Sequence, residues 1–212
     1  MAVGTGKYRY QVVEGWGRGP EGREFGGVLP GVAVDSQDRV YVARRKEPAI
    51  LDYDRVGRYL GSFGEGQLES PHGICISAED HVWVTDVMLH AVFQYDTAGK
   101  LLATLGTPGE PGAPDTPFNR PTKAAVGPSG NVYVSDGFGQ HRIHRFSPDG
   151  VLLNSWGRQG SGRGEFALPH SISVDSHERV FVPDRSNHRI QIFSADGSIL
   201  REWSGAEWPG LL

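Results

Sequence analysis

The chain has 212 residues and a formal net charge of −4, enough for one all-β domain with a sizeable core. That charge balance, with no basic run beyond Arg44-Arg45-Lys46, argues against nucleic acid as a partner. The single cysteine, Cys75, excludes an internal disulfide, and no stretch is apolar enough to span a membrane. With no signal-like apolar core at the N-terminus either, the reading favours a cytoplasmic protein with no membrane partner.

Thirty glycines and fourteen prolines without a collagen-like period imply many tight turns between short strands. Residues 8–17, ending Trp16-Gly17, read as a lone outer strand. A unit then begins at about residue 27. Pro30 opens the strand Val32-Ala33-Val34-Asp35, the turn Ser36-Gln37-Asp38 follows, and Val40-Tyr41-Val42 makes a second strand. A third strand ends Tyr53-Asp54, and a fourth ends Phe63-Gly64.

The same order recurs over 68–106. There Pro71 leads Gly73-Ile74-Cys75-Ile76, then come Val82-Trp83-Val84, Tyr95-Asp96 and Leu105-Gly106. Over 118–157 it reads Pro121, Ala124-Ala125-Val126, Val132-Tyr133-Val134, Phe146-Ser147 and Trp156-Gly157. Over 166–205 it reads Pro169, Ile172-Ser173-Val174, Val180-Phe181-Val182, Phe193-Ser194 and Trp203-Ser204-Gly205. The marker prolines Pro30, Pro71, Pro121 and Pro169 are 41, 50 and 48 residues apart. The segment Ala206-Glu207-Trp208-Pro209-Gly210 looks like the lead-in to another unit.

Four short strands joined by hairpin-length turns make one antiparallel sheet with two apolar faces. No such sheet buries both faces alone, so stacking around a common axis is the expected solution. The fold class is therefore all-β: a β-propeller with four recognisable four-stranded blades. The expected arrangements are an open arc, a small ring with a spare strand, or a homo-oligomer in which two chains complete each other, because end blades are sticky edges.

A propeller does its chemistry at the central channel. The residue after each marker proline starts the innermost strand, and these residues are Gly31, His72, Thr122 and His170. Two histidines at alternate units, joined by a third from a further blade, would make the three-imidazole face of a catalytic zinc with an open position. Equally, a histidine after proline at a strand start caps a turn; the residues alone leave both readings standing. Histidines 81, 90, 141, 144, 177 and 188 read as surface or structural. After the second strand, Asp86, Asp136 and Asp184 recur, but Arg44 breaks the pattern; the next residues are Arg45, Val87, Gly137 and Arg185. Arg45, beside that break, is the candidate at the mouth, whereas Arg185 reads as part of a polar turn.

The repeat resembles the NHL kind. Pro71-His72-Gly73 with Val82-Trp83-Val84-Thr85-Asp86-Val87, and Leu168-Pro169-His170-Ser171 with Asp184-Arg185, are similar to peptidyl-α-hydroxyglycine α-amidating lyase. The likeness runs from about residue 30 to about 203. That family is a six-bladed propeller which cleaves peptidyl-α-hydroxyglycine to a peptide amide and glyoxylate, so the resemblance implies a zinc-dependent lyase acting on a small-molecule or peptide substrate. It places His72 and His170 as zinc ligands and Arg45 as the substrate-engaging arginine. It makes the backbone carbonyls of Val32 and Ile74 contacts of a structural calcium. It puts Phe138 in the substrate pocket, where the family has a tyrosine thought to act as a base. The family's third histidine ligand would fall in a later blade than these four. The alternatives are a non-catalytic NHL scaffold for a protein or peptide, and a calcium-dependent propeller lactonase or esterase.

Overall fold

A computed structural model describes residues 2–18, 25–113 and 116–204. The lead-in read at 206–210, and Gly205 at the end of the fourth unit, lie outside the described residues. Strand β1 (Ala2–Thr5) pairs antiparallel with β2 (Tyr8–Gln11), with Thr5 opposite Tyr8 across the turn Gly6-Lys7. This differs from the outer strand read over 8–17. Gly6 has φ +60°, and a two-residue loop led by such a glycine closes a tight hairpin. Tyr8–Gln11 thus takes its partner from the residues just before it, and its side chains are exposed.

The rest is four four-stranded antiparallel meanders, spanning 31–63, 71–105, 123–156 and 173–204. Blade one holds β3 (Gly31–Val34), β4 (Val40–Ala43), β5 (Ile50–Tyr53) and β6 (Tyr59–Phe63). Blade two holds β7 (Pro71–Ile76), β8 (Val82–Asp86), β9 (Ala91–Tyr95) and β10 (Leu101–Leu105). Blade three holds β11 (Lys123–Val126), β12 (Val132–Asp136), β13 (Arg142–Phe146) and β14 (Leu152–Trp156). Blade four holds β15 (Ser173–Val174), β16 (Val180–Asp184), β17 (Arg189–Phe193) and β18 (Ile199–Ser204). Each first strand lies against the first strand of the next blade, so β3, β7, β11 and β15 form the inner wall.

Alternation along each second strand builds the core between blades. Val82 and Val84 turn toward blade one, where they meet Tyr41, Ala43 and Ile50. Trp83, between them, turns the other way and packs with Val132, Val134 and Phe146 of blade three. A third cluster joins Tyr133 and Ile143 to Val180, Val182 and Phe193. Period-two side-chain geometry thus places successive residues of one strand in two different interfaces.

The repeated aspartates anchor each second strand to the connector before it. Asp86, fully buried, accepts backbone N–H groups of Glu69 and Ser70 on one oxygen and of Met88 and Leu89 on the other. Asp184 does the same for Ala167 and Leu168. In blade one Arg44 reverses the polarity. It is 4% exposed and donates to the carbonyls of Phe25, Glu47 and Pro48. Among the described residues no helix is long and apolar enough to cross a membrane.

Candidate functional site

His72 reaches the channel by an irregularity in its strand. In the β7–β8 ladder Pro71 faces Asp86 and Gly73 faces Thr85, so His72 is the extra residue of a β-bulge. A bulge re-aims a side chain out of the ladder. The approach is close: a Cβ on Gly73 would lie 2.6 Å from the Thr122 carbonyl oxygen. His170 stands just before β15, where its N–H donates to the Pro183 carbonyl at 3.0 Å.

The two imidazoles, from blades two and four, meet with ring centroids 4.9 Å apart and planes at 88°. Phe138 lies beside both, its ring centroid 5.2 Å from His72 and 5.7 Å from His170. The structure therefore brings together three residues that are far apart in sequence.

His72 Nδ1 lies 2.8 Å from the carbonyl oxygen of Thr122. A carbonyl only accepts, so Nδ1 carries the proton and Nε2 keeps its lone pair. Burial holds the His72 ring below its usual pKa, opposed by the Thr122 hydrogen bond and aided by the charges of Arg45 and Arg185. His170 is lowered further, to about 4, by burial, then by His72 and Arg185. Both rings are neutral at neutral pH, the state in which imidazole binds a metal.

Arg45 is exposed at the mouth, and its Nε donates to the Pro71 carbonyl at 3.3 Å, next to His72. Arg185 opens a short 3-10 turn, Arg185–Asn187, and its charge reaches both histidines. In the sequence Arg185 reads as a turn residue. The available signal was positional, since Arg185 and Arg45 hold the same place in their repeats, and both backbone N–H groups donate to the preceding connector. Val32 and Ile74 lie on the adjacent inner strands β3 and β7, with the Val32 side chain exposed and that of Ile74 buried.

The remaining histidines are elsewhere. His81 meets Gln94, His90 accepts the Arg120 N–H, His141 meets the Ala167 carbonyl, and His144 is fully buried against Ser155 and Asp136. Cys75 borders the core between blades two and three, where desolvation pushes its thiol up to about 12.

The donor set fits part of a zinc shell: two neutral imidazoles, one with a fixed tautomer, lie side by side with ring centroids 4.9 Å apart. Among the described residues no group of three or more His, Cys, Asp or Glu side chains could hold a metal ion.

An NHL repeat model matches residues 118–146 and 166–193. The chain carries NHL repeats on a β-propeller fold. It is 37% identical over 197 residues to human NHL repeat-containing protein 3, covering 86% of this chain and 56% of that protein. It is 35% identical over 194 residues to the peptidyl-glycine alpha-amidating monooxygenase of Mus musculus, covering 76% of this chain and 20% of that protein. To peptidyl-alpha-hydroxyglycine alpha-amidating lyase 1 of Drosophila melanogaster it is 34% identical over 98 residues, covering 42% of this chain and 18% of that one. The chain spans about half the length of the NHL repeat-containing protein 3 sequences it matches. Among solved structures, a streptogramin B lyase superposes with a TM-score of 0.67 at 17% identity, covering 84% of this chain and 55% of that one. A gluconolactonase from Xanthomonas campestris superposes with a TM-score of 0.66 at 21% identity, covering 88% and 64%. These two likenesses concern the fold alone.

Proposed function

We propose that this NHL-repeat propeller is a metal-dependent lyase of the kind that splits peptidyl-α-hydroxyglycine into a peptide amide and glyoxylate. The observation that carries the reading is the meeting of His72 and His170 from alternate blades, with ring centroids 4.9 Å apart. Identity of 35% and 34% to an amidating monooxygenase and an amidating lyase supports it. His72 and His170 would hold zinc, which supplies Lewis acidity toward hydroxyl or carboxylate oxygens. The carbonyls of Val32 and Ile74 would hold a structural calcium.

The chain's own residues then have separable tasks. Arg45 and Arg185 set two cations at a mouth whose imidazoles are neutral, which suits a substrate carboxylate. Phe138 screens one side of the imidazole pair from water. In the reaction the C–N bond breaks, the hydroxyl carbon becomes a carbonyl, the hydroxyl proton leaves and the amide nitrogen gains one. No electrons enter or leave. Phe138 has no proton to move, so water at the open mouth carries it.

The test is to load the protein with zinc and measure glyoxylate released from an N-acyl-α-hydroxyglycine. Zinc uptake in calorimetry and glyoxylate release, both abolished in His72→Ala and by a chelator, are expected. Absence of zinc uptake by the intact protein removes the metal from the proposal. Zinc uptake without turnover favours the second reading, a non-catalytic scaffold that presents its mouth to a peptide. Phe138, aprotic at the centre of the site, is the observation on that side. A lactone panel with calcium covers the lactonase or esterase alternative.

A further inference from the structure

We infer that Thr122, the blade-three counterpart of His72 and His170, is a positioning residue that fixes both imidazoles at once; the inference rests on the proposed metal site. Thr122 is fully buried and lies between the two histidine-bearing blades. Its main chain and its side chain face different partners.

The carbonyl oxygen of Thr122 accepts His72 Nδ1–H at 2.8 Å and the Thr85 hydroxyl at 3.0 Å. Thr85 Oγ1 in turn accepts the Gly73 N–H at 2.8 Å, which ties the acceptor to the bulged strand. Both lone pairs of that carbonyl are therefore used, and one of them sets the His72 tautomer. The hydroxyl of Thr122 lies 2.8 Å from the carbonyl oxygen of Pro169, the residue before His170. It also lies 2.7 Å from Ser135 Oγ and 3.0 Å from the Ser135 carbonyl oxygen. One hydroxyl has one proton. With Ser135 Oγ–H donating to Thr122 Oγ1, the Thr122 proton goes to the nearer of its two carbonyl acceptors, Pro169.

The route from one ring to the other is thus His72 ring, Thr122 carbonyl, Thr122 hydroxyl, Pro169 carbonyl, His170. The backbones come close enough because of two glycines. A Cβ on Gly73 would stand 2.6 Å from the Thr122 oxygen, and one on Gly137 would stand 2.2 Å from the Pro169 oxygen. Such outer partners orient imidazole ligands and tune their basicity. Removing the Thr122 hydroxyl releases Pro169 directly and leaves the Thr122 peptide less firmly held against His72.

The experiment compares wild type, Thr122→Val, Thr122→Ser and Thr122→Ala. Zinc affinity is read by calorimetry, and the imidazole tautomers by nitrogen-15 NMR at fixed neutral pH without metal. Thr122→Val, nearly isosteric, should weaken zinc binding about 10–100-fold. It should also shift His72 from the pure Nδ1–H tautomer to a mixture. Thr122→Ser should restore both readouts to near wild type. If Thr122→Val does not fold, Thr122→Ala, which removes the same hydroxyl with a smaller side chain, carries the same comparison and should move both readouts in the same direction. A folded Thr122→Val protein with wild-type zinc affinity and an unchanged tautomer overturns the inference, as does a Thr122→Ser protein that loses as much as the valine variant. If wild type takes up no zinc, the metal reading falls, and the metal-free tautomer comparison alone decides the role of Thr122.

Discussion

The indole of Trp16 lies against the α-carbon of Gly57: a Cβ there would stand 3.1 Å from the ring and 2.6 Å from the Gly17 nitrogen. The same contact recurs between blades. Gly99 faces Phe63 and Gly197 faces Trp156, each pairing the last turn of one blade with the end of the fourth strand before it. Trp16 therefore occupies the place of a preceding blade's terminal aromatic without belonging to a fourth strand.

This lock predicts a graded response to alanine. Gly99 has φ +83°, and an added Cβ would lie 2.4 Å from Phe63 Cβ, an atom that cannot swing aside. Gly66 has φ +67° with nothing within 4 Å. Gly66→Ala should cost about 1–2 kcal/mol, from the left-handed backbone alone. Gly99→Ala adds a steric clash and should cost more than about 3 kcal/mol. Urea denaturation of the two variants measures the difference; equal losses would show that the blade contact gives way freely.

Much of the fold was legible because each unit repeats the same alternation. Val-Trp-Val in one blade and Val-Tyr-Val in the next had to bury both faces, and only stacked sheets do that. The position of His72 and His170 was legible for the same reason. The dipeptide Trp16-Gly17 reads as a strand end but marks a contact with blade one, and a contact leaves no period. Thr122 was visible as a repeat position, but its carbonyl bond to His72 depends on a bulge that composition does not announce. Arg185 was hidden by the ordinary turn it opens.

The depressed imidazoles set a pH dependence for the metal-free protein. His170 titrates at about 4 in the folded state, against 6.5 when unperturbed. Above 6.5 it is neutral in both states and contributes nothing adverse. As pH falls from 6.5 to about 4 the unfolded chain takes up the proton first, so stability declines across that window and the loss levels off below it. His72 shifts in the same direction. Discounted for partial exposure, the His170 share is about 1–2 kcal/mol. In chelator, the wild-type protein should lose more stability between pH 7.5 and pH 5 than His170→Gln does. An identical loss in both would show that His170 is protonated as readily folded as unfolded.

Phe138 offers a gain-of-function prediction. Its ring already stands nearly perpendicular to both imidazoles, at 5.2 and 5.7 Å between centroids. It is 38% exposed, so a phenol oxygen is compatible with the mouth. Phe138→Tyr places a proton carrier beside the pair, and positioned acid–base groups contribute about 10²–10⁴-fold. Glyoxylate release by Phe138→Tyr should exceed wild type by at least about 10-fold, with zinc affinity unchanged. A rise that persists in the double variant with His72→Ala would separate turnover from the metal site and count against the proposal.

The break in the aspartate pattern predicts that restoring the repeat is harmful. In blades two and four the aspartate accepts connector N–H groups, whereas around Arg44 the connector and the following turn present the carbonyls of Phe25, Glu47 and Pro48. Arg44→Asp would bury a carboxylate against oxygens and leave those carbonyls without their donors. Burying an uncompensated charge costs about 3–5 kcal/mol, so this change toward the consensus should destabilise strongly, and Arg44→Met, which removes the donors without adding an anion, should cost less. Arg45→Ala should behave oppositely. Arg45 is exposed, and its single weak bond to Pro71 contributes little to folding, so its loss should leave the unfolding midpoint near wild type while raising KM for an anionic substrate. Denaturation curves and substrate titrations on the three variants separate the two neighbours. Wild-type stability in Arg44→Asp would show that the connector can turn its N–H groups inward, and that the arginine at this position was free to serve the mouth instead.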